Sequence, residues 1–167
     1  RFTKQKNHIF LINFFVKNFH YLDNFDFLII GEGELENSYR QIIDKANLKN
    51  KIKILGYERN VFNYINNAKC IISSSLWEDP GFVMVEAASL GVPIISSDCP
   101  SGPKEFIDNN KNGFIYKLND EKGFNMVLDS FLNISNKELL KKLKNAKKKC
   151  RLYSNFNNYK KLSKILI

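Results

Sequence analysis

The sequence predicts an α/β fold in which a doubly wound parallel sheet carries helices on both faces. Short apolar runs alternate along the chain with amphipathic segments of about ten residues, a pattern typical of parallel strands joined by crossover helices. With 167 residues and 44% hydrophobic content, the chain is long enough for one such domain and too short for two ordinary ones. No repeat, low-complexity block or linker interrupts it. We therefore expect residues 1–167 to form a single domain.

The individual elements follow from apolar spacing and from helix caps. Apolar residues recur at helical spacing over 8–19, and a buried strand over 25–30 then ends in a Gly-Glu-Gly turn. Asp120 is placed to cap a helix, and Ser135 opens a capping box with Glu138, so residues 120–167 are predicted to be helical. The remaining predicted elements are helices over 35–46, 60–66, 82–90 and from Pro103, and strands over 52–55, 69–73, 92–96 and 114–116.

One strand of the predicted sheet has no counterpart in the sequence. In a doubly wound sheet of order 3-2-1-4-5-6 the first strand lies centrally, yet this sequence opens at a polar loop directly before its first helix. We expect the first central strand to be truncated, which leaves the strands beside it with unpaired backbone groups. A truncated gene product or a split gene fits this pattern better than a self-sufficient fold.

Composition and charge exclude several classes of protein. No apolar stretch approaches the ~18 uncharged residues of a membrane-spanning helix, and the first residues are no secretory signal, so we expect a soluble intracellular protein. The three cysteines form no Cys-x-x-Cys pair, which predicts free thiols and no structural zinc. The net charge of +9 is uneven, because residues 137–167 hold eleven of the 26 basic residues and one of the 17 acidic ones. The cysteines are Cys70, Cys99 and Cys150.

The basic tail is predicted to form an amphipathic helix with an apolar face and a lysine face. Such a helix suits an anionic membrane surface. The alternative is a helix packed on its own domain with a solvated lysine face. Nucleic acid is not expected as a partner, because the aromatic residues of the tail are spaced for a helix core rather than for base stacking. The apolar face comprises Leu139, Leu143, Ala146 and Cys150; the lysine face comprises Lys137, Lys141, Lys144 and Lys148; the aromatic residues are Tyr153, Phe156 and Tyr159.

Residues 73–93 are the most informative stretch. A strand ends in three serines, a loop carries Glu78 and Gly81, and Glu86 lies about one turn into the helix that follows. Helix starts bind anions through free N–H groups and the positive end of the dipole, so a diphosphate fits there, and Gly81 lets the backbone approach a ligand closely. The alternative is that both glutamates simply favour a helix N-terminus.

Glu78 and Glu86, with Gly81-Phe82 between them and Ala87-Ala88 after, resemble the paired-glutamate motif of glycosyltransferase family 4. The resemblance covers nearly the whole chain and implies the Rossmann-like, C-terminal donor-binding domain of a retaining GT-B enzyme. Further segments resemble that family in the expected order: residues 1–7, 28–33, 53–57, 94–98 and 110–114. The loop over 99–105 resembles that of capsule, lipopolysaccharide and glycan-assembly members, several of which use UDP-linked hexoses or hexosamines.

The resemblance implies a role for each matching residue. Arg1 and Lys6 match the basic pair that grips the donor diphosphate, although two solvated charges are the alternative. Glu86 matches the glutamate that hydrogen-bonds the ribose, and Glu78 the one near the donor sugar. The backbone N–H groups of Gly81 and Phe82 match donors to sugar hydroxyls. Three segments complete the implied site: Val83, Met84 and Val85 facing the phosphates, Glu32 and Gly33 below the nucleotide, and Arg59, Asn60 and Val61 bordering the base.

No metal or other cofactor is implied, and the sequence lacks an Asp-x-Asp triplet that could hold a metal ion. Asp79-Pro80 departs from the residues that commonly follow the first glutamate. We expect the N-terminal acceptor-binding domain of the family to be missing and the isolated chain to be inactive.

Two rival hypotheses remain open. The chain could be a non-catalytic nucleotide-sugar-binding remnant or the partner subunit of a split enzyme. It could also be a nucleotide-binding enzyme of another class, such as a sugar-nucleotide epimerase, which would need a different catalytic set.

Overall fold

The computed structural model describes residues 1–79 and 81–153, so the expectations on Pro80, Phe156 and Tyr159 lie outside the described residues. Two compact units are present. The first comprises Arg1–Val61 and Ser74–Trp77, and the second comprises Phe62–Ser73 and the described residues from Glu78 to Tyr153. Helices alternate with strands in both units, and every described strand pair is parallel. The predicted α/β class is confirmed.

The first unit contains a two-stranded parallel sheet and two α-helices. Phe27 pairs with Ile52, and the register shifts between Ile29 and Ile30. The first helix ends two residues earlier than predicted, because the Asn18 side chain donates to the carbonyl of Phe14 at 2.9 Å and closes the last turn. The elements are a 3-10 helix Lys4–Lys6, α1 His8–Lys17, a 3-10 helix Phe19–Asp23, β1 Phe27–Ile30, α2 Glu36–Lys45 and β2 Ile52–Gly56.

The core of the first unit lies between the helices and one face of the sheet, as the apolar spacing predicts. Buried aromatic residues dominate it, and Phe15 of α1 packs on Phe27 of β1 with ring centroids 4.7 Å apart. The buried apolar residues are Phe2, Leu11, Ile12, Phe14, Phe15, Leu22, Ile29, Tyr39, Ile43 and Ile52.

The second unit contains a three-stranded parallel sheet of order β3-β4-β5. Its strand β4 begins at Ile94 rather than at Val92, because the Val92 N–H donates to the carbonyl of Ala87 and belongs to the C-terminal cap of α4 at Gly91. The elements are α3 Phe62–Asn67, β3 Ile71–Ser73, α4 Phe82–Leu90, β4 Ile94–Ser97, α5 Pro103–Ile107, β5 Phe114–Tyr116, α6 Glu121–Leu132, α7 Asn136–Cys150 and a 3-10 helix Arg151–Tyr153.

Both predicted caps of the last two α-helices are present. The Asp120 carboxylate accepts from the Gly123 N–H at 3.0 Å, and the Ser135 hydroxyl accepts from the Glu138 N–H at 3.3 Å. A cap of this kind stabilises a helix by about 1 kcal/mol.

Helix α7 has the two faces that the sequence predicts. Its apolar face contains the buried Ala146 and packs against α4 and α5. Lys142 lies at the edge of that face, where its ammonium group donates to the carbonyls of Asn110 and Gly113 and sits 4.8 Å from the centroid of the Phe114 ring. The opposite face is exposed and carries Lys137, Lys141, Lys144 and Lys148.

Candidate functional site

A tight turn follows β1 and holds the first residues of the chain. The N–H of Phe2 donates to the carbonyl of Glu32 at 2.9 Å, and the carbonyl of Phe2 accepts from the Leu35 N–H at 3.1 Å. A Cβ atom at Gly33 would lie 2.6 Å from the Phe2 carbonyl oxygen, so only glycine permits this approach. Gly33 is therefore a packing position, while the Glu32 side chain next to it is exposed.

The predicted basic pair lies on a loop that is fixed through its backbone. Arg1 is exposed, and Lys6 is half-buried at the end of the first 3-10 helix. The Ser74 hydroxyl lies 3.1 Å from the Lys6 carbonyl and 2.9 Å from the Asn7 carbonyl, and the Asn7 amide donates to the Ser74 carbonyl at 3.2 Å. These bonds set the position from which the Lys6 side chain extends.

His8 begins α1 and belongs to an aromatic cluster with Phe2 and Tyr39. The three ring centroids are 5.7 to 6.0 Å apart, and each pair meets edge to face. Burial is the main cause that lowers the pKa of His8 to about 4, and the positive charge of Lys6 acts in the same direction. The His8 Nδ1 and Tyr39 Oη atoms are buried and have no hydrogen-bond partner among the described residues. The His8 imidazole is therefore neutral at neutral pH.

The segment after β2 is exposed. Gly56 has a φ of 75°, its carbonyl accepts from the Gly31 N–H at 2.7 Å, and the Tyr57 side chain that follows is 71% exposed. Of the residues expected to border a base, Arg59 and Asn60 are exposed and Val61 is half-buried. All of these residues belong to the first unit, as do Arg1, Lys6, Glu32 and Gly33.

The second unit contains the paired glutamates. Glu78 is 5% exposed, and its N–H donates to the carbonyl of Pro100 at 3.3 Å. Gly81 has a φ of 79°, and a Cβ atom there would lie 2.7 Å from Met84 Cε and 3.5 Å from the Glu78 side chain. The glycine thus permits both the left-handed backbone and the close packing of Glu78 beside the start of α4.

Helix α4 begins at Phe82 without a side-chain cap, because Gly81 occupies the capping position. The N–H groups of the first turn of a helix have no intrahelical partner, and they carry the positive end of the helix dipole. The Phe82 ring is 60% exposed, whereas Met84 is buried, so Met84 can meet a ligand only through its backbone. Val83 and Val85 are half-buried, and so is Glu86, which lies one turn into the helix as predicted.

Two further findings concern metals and membranes. Among the described residues, no three histidine, cysteine or acidic side chains are grouped as a metal ion would require. Within the same residues, no helix is both long enough and apolar enough to cross a bilayer.

Sequence reasoning missed the aromatic cluster around His8. The contact of His8 with Tyr39 joins residues that are distant in sequence, so local spacing gave no signal for the cluster.

Comparisons with known proteins agree on one class. A family model described as glycosyl transferases group 1 matches residues 1–150. An uncharacterized glycosyltransferase of Methanocaldococcus jannaschii is 39% identical over 107 residues, which cover 64% of this chain and 26% of that protein. The UDP-Gal:alpha-D-GlcNAc-diphosphoundecaprenol alpha-1,3-galactosyltransferase of Escherichia coli is 32% identical over 146 residues, which cover 83% of this chain and 35% of that protein.

The fold is also shared with solved structures. The pneumococcal O-GlcNAc transferase GtfA, in complex with UDP and GlcNAc, matches 99% of this chain and 33% of its own with a TM-score of 0.84 at 19% identity. The chain thus spans only 26% to 35% of the length of these three proteins.

Proposed function

This chain belongs to the family of group 1 glycosyl transferases, and from that membership we propose that it is the donor-binding part of a retaining hexosyltransferase. The enzyme moves a hexose or an N-acetylhexosamine from a nucleoside-diphosphate sugar, with UDP as the nucleotide, to a surface-polysaccharide or lipid-linked glycan acceptor. The Escherichia coli relative is named for UDP-Gal and a diphosphoundecaprenol-linked acceptor, and the pneumococcal structure holds UDP and GlcNAc. These names support a UDP donor, and the resemblance of the loop over 99–105 to capsule and lipopolysaccharide members favours a role in the assembly of such glycans.

The observation that carries this proposal is the start of α4. Gly81 leaves the helix uncapped, Glu78 is buried beside the glycine, and Glu86 lies one turn further on. An uncapped helix start attracts a diphosphate, and an ionised carboxylate one turn away can accept hydrogen bonds from both ribose hydroxyls. In this proposal Glu86 holds the ribose and Glu78 acts near the donor sugar.

The backbone around the start of α4 completes the donor contacts of the second unit. The N–H groups of Gly81 and Phe82 donate to sugar hydroxyls. The N–H groups of the next three residues, Val83, Met84 and Val85, face the phosphates. Because these donors are fixed by the helix before the donor binds, they stabilise the departing diphosphate with little reorganisation.

Residues of the first unit are assigned to the diphosphate and the nucleotide. Arg1 and Lys6 neutralise the negative charge that develops on the leaving diphosphate, and no metal ion is required for this step. The turn residues Glu32 and Gly33 lie below the nucleotide. Arg59, Asn60 and Val61 border the base.

The acceptor is bound by a part of the enzyme outside these residues, so the isolated chain binds donor without transferring it. We also assign the enzyme to the cytoplasm, with peripheral contact on the cytoplasmic face of the inner membrane. The exposed lysine face of α7 supports this assignment, because each lysine near an anionic membrane contributes about 1 kcal/mol of binding free energy. No nucleic-acid partner is proposed.

The proposal is tested by calorimetric titration of the chain with UDP and with GDP. Binding of UDP that is lost in Glu86→Ala and in Lys6→Ala supports the donor site. Lys4→Ala is the matched control for Lys6→Ala, because Lys4 is an exposed lysine on the same 3-10 helix. Glu34→Ala is the control for Glu86→Ala and removes an exposed carboxylate. A folded chain that binds neither nucleotide would refute the donor-site assignment.

A further inference from the structure

Ser74, the residue directly after β3, is bonded to the segment that carries Lys6. Ser74 is buried, and its hydroxyl lies 2.9 Å from the Asn7 carbonyl and 3.1 Å from the Lys6 carbonyl. The hydroxyl has one proton, which the two carbonyl oxygens share in a three-centre hydrogen bond. We propose that Ser74 is a positioning residue that holds Lys6 where its ammonium group meets the donor diphosphate. This inference rests on the function proposed above and adds a residue that acts through Lys6.

Asn7 bonds to Ser74 in the opposite direction. The Asn7 side-chain amide donates to the Ser74 carbonyl at 3.2 Å. Asn7 also precedes α1 as its N-cap residue, a position from which an asparagine side chain usually accepts a hydrogen bond from the helix backbone. No such bond is made here. The Asn7 side chain is therefore turned to Ser74 rather than to the helix, and the two residues bond to each other reciprocally.

Two further hydrogen bonds join the same two segments on the other side of Lys6. The Leu76 N–H donates to the Gln5 carbonyl at 2.8 Å, and the Gln5 side-chain amide donates to the Trp77 carbonyl at 3.0 Å. Residues 74–77 belong to the first unit, although the chain on either side of them belongs to the second. Because Gln5 and Asn7 are both bonded to this short segment, the backbone of Lys6 between them is fixed as well.

The element that carries Lys6 is too short to fix this residue by itself. Lys4–Lys6 is a single turn of 3-10 helix, in which the Lys6 N–H donates to the Thr3 carbonyl at 3.1 Å. Hydrogen-bond geometry is poorer in a 3-10 helix than in an α-helix. A lysine ammonium group is carried on a flexible stem, so a mobile backbone lowers the share of conformers that reach a bound diphosphate. The bonds to Ser74 therefore decide how often Lys6 is in place.

The test starts with calorimetric titration of the unsubstituted chain and two variants with UDP and with inorganic pyrophosphate. Ser74→Ala removes the hydroxyl, and Asn7→Gly removes the amide but tolerates the left-handed backbone of this position, where φ is 51°. Each variant is expected to bind both ligands at least about fivefold more weakly, because the diphosphate is common to them. Ser96→Ala is the matched control and should bind both ligands like the unsubstituted chain. It removes a buried hydroxyl that lies 3.1 Å from the Ser97 carbonyl at the end of β4.

Acylation of lysines with acetic anhydride, measured by mass spectrometry, separates the positioning of Lys6 from a general effect on the fold. Only the uncharged amine reacts, and a diphosphate beside Lys6 keeps it charged, so saturating UDP should slow its acylation by about tenfold or more. In Ser74→Ala and in Asn7→Gly, at UDP concentrations that again saturate the chain, this protection should fall below about threefold. Lys4 is the internal control, because it is exposed on the same 3-10 helix and should react alike in every sample.

The outcomes separate this inference from the function on which it rests. Equal ligand affinity in both variants and the unsubstituted chain overturns the positioning role alone, and Asn7→Gly decides if Ser74→Ala does not fold. Weaker binding with full protection of Lys6 also overturns it, because the loss does not then act through Lys6. UDP that binds the unsubstituted chain without protecting Lys6 overturns the role of Lys6 together with this inference. Failure of the unsubstituted chain to bind UDP overturns the donor site as well.

Discussion

Replacing His8 by phenylalanine is expected to remove a pH-dependent part of the stability of the chain. The pKa of His8 is about 4 in the folded state against about 6.5 for an unperturbed imidazole, so between these values the unfolded state binds a proton that the folded state does not. The free energy of unfolding therefore falls as the pH falls through this range. The loss from this one group is about 2 kcal/mol between about pH 7 and pH 5, and about 3 kcal/mol by pH 4.

His8→Phe suits this test because it keeps a flat ring against Phe2 and Tyr39, and because Nδ1 has no hydrogen bond to lose. Urea unfolding of the two proteins at several pH values gives the free energies. The protein with His8 should lose about 2 kcal/mol more than His8→Phe between about pH 7 and pH 5, while carboxylates titrate alike in both. His20→Phe, at an exposed histidine, is the control and should follow the unsubstituted chain. Parallel curves for the unsubstituted chain and His8→Phe would refute the assignment of a neutral, partly buried imidazole.

Three further predictions follow from the packing and from the charge of α7. Gly33→Ala should lower the free energy of unfolding by about 1–3 kcal/mol, because its Cβ meets the Phe2 backbone; thermal unfolding measures this, and an unchanged midpoint would contradict it. Lys142→Met keeps the aliphatic stem but loses the bonds to two carbonyls, so it should cost about 1 kcal/mol in urea unfolding, whereas Lys141→Met at an exposed neighbour should cost little. Binding to anionic phosphatidylglycerol vesicles should weaken by at least about tenfold when the four face lysines are changed to glutamine, and undiminished binding would argue against a membrane surface. The face lysines are Lys137, Lys141, Lys144 and Lys148, and the control with equal charge changes Lys17, Lys45, Lys117 and Lys122.

The parts of the structure that depend on neighbouring residues could be predicted from the sequence. The bounds of α4 agree with the prediction because a glycine with left-handed backbone stands at each end. Gly81 precedes the first residue of the helix, and Gly91 follows the last. The faces of α7 also follow directly from its spacing. The prediction places the start of β4 two residues too early, because the apolar Val92 resembles a strand residue in the sequence. In the structure the Val92 N–H donates to the Ala87 carbonyl and belongs to the C-terminal cap of α4.

In the candidate site, too, features set by neighbouring residues could be predicted and features set by distant residues could not. Glu78, Gly81 and Glu86 lie within nine residues of each other, so their order around one helix start could be found without a structure. The surroundings of His8 depend on Phe2 and on the distant Tyr39, and the contact with Tyr39 is not visible in a local pattern. The roles of the individual site residues stay predictions until binding is measured.

The parallel pairing of the strands has a consequence for how the chain folds. Phe27 pairs with Ile52, Ile71 with Ile94 and Ile95 with Phe114, so each described pairing closes a long loop that contains a helix. No described pairing can start as a hairpin, and the entropy of loop closure must be overcome before any strand bond forms. Refolding should therefore be slow, on the order of milliseconds to seconds. Unpaired strands exposed during that time make the yield of refolding fall as the protein concentration rises.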